Sequence, residues 1–416
     1  MSTSAKLETL WDVTRMPKEV VLPKAAPIGA PLPLGFPVFG TQYSSTARCA
    51  VFAGGGGPGN TGVHNKIVAV AVAEDAAGVE VVAELRLGED QVDSIDVCEN
   101  NGQLACAVAG GVKLYILGAG RITAQSNEAN DLPDADQPAQ VVSFCPAGAT
   151  LAVAGEEDEK VGVYEYPSLK RRLRIDTGID GVRSLSMTTA KEEDKNTSQL
   201  LCVCGKKGTC TVWEVSGGDT ASAVKELTVP GFTKCQFRSA GFVECEGEVR
   251  LLTSTNLTQG VGRKSRLEAR LQLWNTTSWE AVAAISVFQE CGLTAMAISR
   301  DGRMVGVGSS DGKLVAVSVG ESSLKLICKA EPHNLAVTAV ALASARLSRE
   351  DPPTRESVDA KPSADHPPML FSIALDQQLV STPVVPGPSS YTTPMIVILV
   401  LLLLTLLYMY NSNSNT

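Results

Sequence analysis

The sequence predicts an all-β protein, a single seven-bladed β-propeller of degenerate WD repeats followed by a C-terminal transmembrane helix. Three observations predict it. From about residue 36 to 386, short Val/Ile/Leu/Ala runs alternate with turn residues, and helical periodicity is almost missing. This rhythm restarts near residues 40, 91, 139, 182, 233, 293 and 336, spacings of roughly 43 to 60 residues against about 40–45 for a WD repeat. Finally, residues 391–410 read YTTPMIVILVLLLLTLLYMY, without a charge.

The clearest unit is Leu293–Val319, LTAMAISRDGRMVGVGSSDGKLVAVSV. It parses as strand, Asp-Gly turn, strand, Asp-Gly turn, strand, the two-hairpin core of a propeller blade. Inside the repeats no Trp-Asp pair occurs; Trp213-Glu214 and Trp274-Asn275 take its place, and both tryptophans are expected in blade core. Longer spacings fall at Gln259–Glu268 and at Ser348–Pro368, the latter expected as a disordered insertion in the last blade. The run KEEDK, Lys191–Lys195, is expected at a solvated hairpin tip. Closing the ring needs a segment upstream of Phe36 to complete the last blade, for which Glu19–Leu22 is the candidate. The resulting division is an N-terminal tail at 1–31, the propeller at 32–386, a linker at 387–394, the transmembrane helix at 395–410 and a short luminal tail at 411–416.

A helix over the apolar segment is about 30 Å long, the thickness of a hydrocarbon core. Tyr391, Tyr408 and Tyr410 stand where interfacial anchors belong. The start, MSTSAKLETLWDVTRMPKEVV, has no apolar stretch of signal-peptide type. Tail-anchored insertion is therefore expected, with the large N-terminal part in the cytosol. The nearest upstream basic groups, Lys361 and His366, are too sparse to set orientation by charge. Sequons at Asn196, Asn256 and Asn275 are expected to carry no sugar.

Composition narrows the chemistry. Lys+Arg 36 against Asp+Glu 45 gives a net charge of −9, which argues against nucleic acid as a partner. The chain has 3 histidines, His64, His333 and His366, so general-base and metal sites are scarce. A binding protein is favoured over an enzyme, with no small-molecule substrate. His333 is expected to bond within its blade. The 11 cysteines are odd in number and sit mostly in apolar runs, as buried small hydrophobes in a reducing compartment do. In LLCVCGKKGTC, Cys202 and Cys204 share one strand face with Cys210 nearby. No fourth ligand accompanies them, so strand alternation explains them without zinc.

One segment departs from the blade pattern: Val51 to Val70, VFAGGGGPGNTGVHNKIVAV. Gly54, Gly56 and Gly59 satisfy G-x-G-x-x-G, but IVAVAVA at Ile67–Ala73 predicts a strand where a dinucleotide site needs a helix. No Gly-Lys-Ser/Thr closes a phosphate loop either. Four consecutive glycines cost about 0.5–1 kcal/mol each to order relative to alanine. Either the loop is floppy, or its backbone takes positive φ to fold around something. Glycine carbonyls with an Asn oxygen suit a hard monovalent cation or close packing on a partner's backbone.

The opening Phe36-Pro37-Val38-Phe39-Gly40, the loop AGGGGPGNTGVHNKI and the later His333-Asn-Leu-Ala-Val-Thr-Ala-Val carry a family likeness. The sequence resembles the ER-membrane guanine-nucleotide exchange factors that activate the small GTPase of the COPII coat, the prolactin regulatory element-binding protein family. The likeness rests on Gly54–Gly57, Gly62, Val63, Asn65 and Lys66, and on the plan of a propeller followed by a membrane helix. It implies a single-pass ER membrane protein with a cytosolic propeller, serving ER-to-Golgi transport by releasing GDP without covalent chemistry. It implies a potassium ion held by Gly54, Gly55, Gly56, Gly57, Gly62 and Asn65, and a loop that enters the GTPase beside its switch regions. Asn65 would fix the closing turn and the ion, and Val63 would be the apolar residue presented to the GTPase. His64, in the same active stretch, stands where relatives often have proline. On this reading Asn65→Ala abolishes exchange and leaves the thermal transition nearly unchanged. The competing expectation is a tail-anchored propeller scaffold that binds cytosolic proteins without exchange.

Overall fold

The computed structural model describes residues 25–385 except 60, 74–77, 119, 126–138, 156–158, 180, 189–190, 194–195, 217–219, 246, 261–264 and 344–366. All of these lie within one compact unit, Lys24–Val385. The first strand, β1, is Ile28–Pro33. Blade one holds β2 (Val38–Ser44), β3 (Cys49–Gly54), β4 (Asn65–Val72) and β5 (Val79–Gly88). Blade two holds β6 (Val92–Cys98), β7 (Gln103–Val108), β8 (Gly111–Gly118) and β9 (Arg121–Ala124). Blade three is β10 (Ala139–Phe144), β11 (Thr150–Gly155), β12 (Lys160–Glu165) and β13 (Arg171–Asp176).

Blade four is β14 (Val182–Met187), β15 (Lys191–Glu193), β16 (Asn196–Gly205), β17 (Cys210–Ser216) and β18 (Thr220–Glu226). Blade five is β19 (Lys234–Cys245), β20 (Glu248–Gln259), β21 (Arg266–Asn275) and β22 (Ala281–Gln289). Blade six is β23 (Leu293–Ile298), β24 (Met304–Ser309), β25 (Leu314–Gly320) and β26 (Ser323–Ala330). Blade seven is β27 (Val337–Ala343), β28 (Met369–Ala374) and β29 (Gln378–Pro383), completed by β1.

Each sheet is antiparallel, and its inner strand (β2, β6, β10, β14, β19, β23 or β27) lines a central channel of about 420 Å³. Those inner strands begin at Val38, Val92, Ala139, Val182, Lys234, Leu293 and Val337, each within two residues of a predicted unit start. The Asp-Gly turns of blade six lie where expected, between β23, β24 and β25. KEEDK opens a hairpin in which β15 pairs with β16, Glu193 opposite Asn196. The insertion Ser348–Pro368 lies between β27 and β28, almost wholly outside the described residues.

Ring closure differs in place from the sequence expectation. The closing strand is Ile28–Pro33, paired with β29 through Ile28↔Ser381, Leu32↔Leu379 and Pro33↔Gln378. Glu19–Leu22 lie outside the described residues, and the boundary drawn at 32 cuts through the true closing strand. Pro31 and Pro33 are tolerated because an outermost strand needs hydrogen-bond partners on one side only. The segment 395–410 also lies outside the described residues, as do the linker at 387–394 and the tail at 411–416. Among the described residues no helix is long and apolar enough to cross a membrane.

The core lies between blades rather than at the centre. Phe36 and Phe52 of blade one pack with Phe371 of blade seven, all fully buried or nearly so, each burial worth about 1.5–3 kcal/mol. Polar pins cross the same seams. Asp96 on β6 accepts from Gln42 Nε2 of blade one at 2.8 Å and from Phe144 N of blade three at 2.7 Å. Asn256 of blade five accepts from Leu293 N at 2.8 Å and donates to Leu293 O at 3.1 Å in blade six. His333 bonds Ser372 Oγ through Nε2 at 2.9 Å inside blade seven, as the sequence reading expects. Trp274 is core, its Nε1 donating to Thr253 Oγ1 at 2.9 Å, while Trp213 is half-buried against the seam of blades three and four.

Candidate functional site

The glycine segment joins β3 to β4, so both of its ends are held by a ladder: Gly54 pairs with Val38 and with Lys66. A side chain at Gly54 would place its Cβ 2.2 Å from Pro37 O, and Gly55 N donates to that same oxygen at 3.0 Å. Lys66 Nζ lies 5.0 Å from the centre of the Phe36 ring and 3.3 Å from Glu84 Oε2. The Phe-Pro opening and the glycine segment, distant in sequence, therefore form one assembly.

Asn65 is 2 % exposed and clamps the loop. Its Oδ1 accepts from Gly57 N at 3.1 Å, and its Nδ2 donates to Gly57 O and to Gly88 O, each at 3.1 Å. Gly55 (φ +150°) leaves room for this amide, since a Cβ there would lie 2.1 Å from Asn65 Oδ1. Gly56 is filled in by Thr61, whose Oγ1 would lie 2.2 Å from an added Cβ. Gly57 and Gly62 take φ of +86° and +80°, a region that L side chains rarely enter. Of the two sequence alternatives, the folded loop with positive φ is the one observed.

Burial divides the segment. Gly54, Gly55, Gly57 and Asn65 are buried, whereas Pro58, Gly59, Thr61, Gly62 and His64 are exposed. Val63 is half-buried and packs on the seam of blades seven and one, beside the cluster of Phe36, Phe52 and Phe371. The resemblance made it the residue presented to a partner; here its side chain serves the loop's own footing. The burial of Asn65 also corrects the expectation of an unchanged thermal transition for Asn65→Ala, because three hydrogen bonds depend on it. Sequence reasoning missed Pro37 and Gly88 as partners. The aromatic-Pro opening was the one available signal for the first.

The loop lies on the face where the inner strands begin. Leu335, just before β27, and Leu375, just after β28, lie on that face, with Leu375 N bonded to Ala336 O at 3.1 Å. Phe39 near the start of β2 is 48 % exposed, Leu335 47 % and Leu375 62 %. Three large apolar side chains thus stand open to water on blades one and seven, on the face that carries the loop.

No protein-family profile and no curated protein matches the chain. Solved structures do. The C-terminal WD40 domain of Sif2 aligns over 88 % of this chain and 100 % of its own, with a TM-score of 0.52 at 11 % identity. Chaetomium thermophilum Raptor aligns over 88 % of this chain and 30 % of its own, with a TM-score of 0.58 at 12 % identity. At these identities the likeness concerns the fold. The seven sheets make this chain a seven-bladed β-propeller, and its fold is that of a WD40 domain such as the one in Sif2.

Proposed function

We propose that the protein is a guanine-nucleotide exchange factor for the small GTPase of the COPII coat, acting through the tip of the 54–65 loop. One observation carries the reading: the loop is anchored at its base by Asn65 and open at its tip, on a face that also exposes Phe39, Leu335 and Leu375. A floppy connector would lose much of its binding energy on ordering. A loop already ordered by Gly57 and Asn65 does not. Bound nucleotide is held largely through magnesium and contacts to the phosphates. A rigid tip beside the switch regions weakens those contacts, and a thousandfold faster release needs a barrier about 4 kcal/mol lower. No proton transfer or nucleophile is required, and the exposed tip residues include one histidine and no acid.

The donor set of the loop fits a potassium ion. It consists of backbone carbonyls and one carboxamide, neutral hard oxygens without a carboxylate, which suits a monovalent cation. Gly54, Gly55, Gly56, Gly57 and Gly62 would supply carbonyls. Asn65 Oδ1, which accepts one N–H, keeps a second lone pair. Bound there, the ion would stiffen the loop. The proposed setting is the ER membrane, with 395–410 as a single span and the propeller in the cytosol.

Linkage separates exchange from plain scaffolding. A protein that opens the site and thereby weakens GDP binding binds the nucleotide-free GTPase more tightly than the GDP-bound form, by the free energy with which it weakens GDP. Affinity of the full chain in detergent for both forms is the test. At least about 100-fold preference for the nucleotide-free form is expected; equal affinity for both would leave a scaffold without exchange.

A further inference from the structure

A second site, unrelated to the loop, lies between blades four and five. In β16, Leu201 and Val203 join the cluster facing blade three. By strand alternation Cys202 and Cys204 face blade five, whose β19 packs against β16. The turn at 205–209 returns the chain so that Cys210 stands directly opposite Cys204. All three cysteines are fully buried. Cys210 Sγ lies 3.4 Å from Cys202 Sγ and 3.3 Å from Cys204 Sγ, and all three sulfurs lie within 4.8 Å of one another.

The geometry points to a binding site for a soft, three-coordinate metal ion, monovalent copper, held by the sulfurs of Cys202, Cys204 and Cys210. Ligands at about 2.3 Å around a trigonal ion stand about 4.0 Å apart, so Cys210 would move outward by a few tenths of an ångström from its 3.3 and 3.4 Å neighbours on loading. Structural zinc is four-coordinate, and among the described residues no fourth Cys, His, Asp or Glu joins the group. Thiolate softness selects monovalent copper.

Charged and polar side chains stand near the sulfurs. The Arg183 charge lies close to Cys204. The Nε atoms of Arg183 and of Arg238 in blade five are buried without a partner. Gln272, fully buried with both amide atoms unpartnered, sits opposite Thr253 on the blade-five face turned toward blade four. One monovalent ion with three thiolates leaves two negative charges, which the nearby Arg183 offsets in part. The displaced thiol protons pass to solvent.

The test is anaerobic titration of the reduced full chain in detergent with monovalent copper against a competing bathocuproine chelator. One bound equivalent with a thiolate-to-copper charge-transfer band is expected, and Cys202→Ala should weaken it more than about 100-fold, beyond the loss of an outer-shell partner. Cys106→Ala in blade two should change nothing. If Cys202→Ala does not fold, alkylation of the unaltered protein during a brief urea pulse decides. Copper should then protect Cys202, Cys204 and Cys210 and leave the other cysteines reactive. Uniform protection, no bound copper, a Cys204–Cys210 disulfide in the isolated protein, or tight zinc binding in place of copper would each overturn the proposal.

Discussion

The Asn65 carboxamide is bonded to both backbone polar groups of Gly57, accepting from its N–H and donating to its carbonyl, each at 3.1 Å. One side chain thus closes the glycine segment eight residues back along the chain and ties it to the end of β5 through Gly88. The base of the loop belongs to blade one, and the tip does not.

Asn65→Ala strands Gly57 N–H and two carbonyls, at about 1–3 kcal/mol for a buried group left unpaired. A lower urea midpoint with an unchanged slope is expected, together with faster amide exchange at Gly57. Asn65→Asp keeps the acceptor and loses both donated bonds, so it should be no better. An unchanged midpoint in both variants would show that the amide does not hold the loop.

Gly55→Ala and Gly62→Ala separate space from conformation. At Gly55 a methyl would lie 2.1 Å from Asn65 Oδ1, whereas at Gly62, φ +80°, nothing lies within 4 Å. The Gly62 variant should lose about 1–2 kcal/mol from the left-handed backbone alone. The Gly55 variant should lose more and behave like Asn65→Ala in amide exchange at Gly57. Equal effects of the two would contradict the close packing of Asn65 on Gly55.

Much of this architecture is legible in the sequence. The starts of β10, β14 and β23 fall on the predicted residues because each inner strand opens with an apolar run just after a turn. The closing strand IGAPLP was not legible: two prolines and a glycine hide a strand that pairs on one edge only. Asn65 could be singled out from the loop's sequence as the residue that closes its turn, but its partners Gly57 and Gly88 depend on how β4 registers with β5. The resemblance implies that Val63 is presented to a partner, and only the packing of blade seven against blade one shows the seat it also has there. Cys210 joins Cys202 and Cys204 through the register across a five-residue turn, which composition does not reveal.

Asp96 is expected to be a determinant of ring stability. Its carboxylate receives bonds from blades one and three and from Val97 N at 2.9 Å. Asp96→Ala should cost about 2–4 kcal/mol, since bonds to a charged acceptor are worth about 1.5–3 kcal/mol each and do not add fully. Chemical denaturation measures it. A loss below about 0.5 kcal/mol, the range of ordinary surface changes, would mean that the blades hold together without it.

His333 gives the propeller a pH dependence. Burial holds its imidazole below the ordinary 6.5, against a weaker opposing pull from Asp376. The unfolded chain then binds the proton more readily than the folded one, so stability is full above 6.5 and falls as pH drops from there toward the folded value. The slope is at most about 1.4 kcal/mol per pH unit. Denaturation between pH 7.5 and 5.5 should show this fall, and His333→Gln should remove that component. An identical pH profile in the variant would assign the dependence to other groups.

The central claim is tested most directly by the rate at which fluorescent GDP leaves the purified COPII GTPase in potassium buffer, with and without the full chain in detergent. The account predicts acceleration of about a thousandfold, equivalent to about 4 kcal/mol, with most of it lost in Asn65→Ala at a temperature where that variant is folded. Release at the intrinsic rate, or acceleration equal in both proteins, would contradict it.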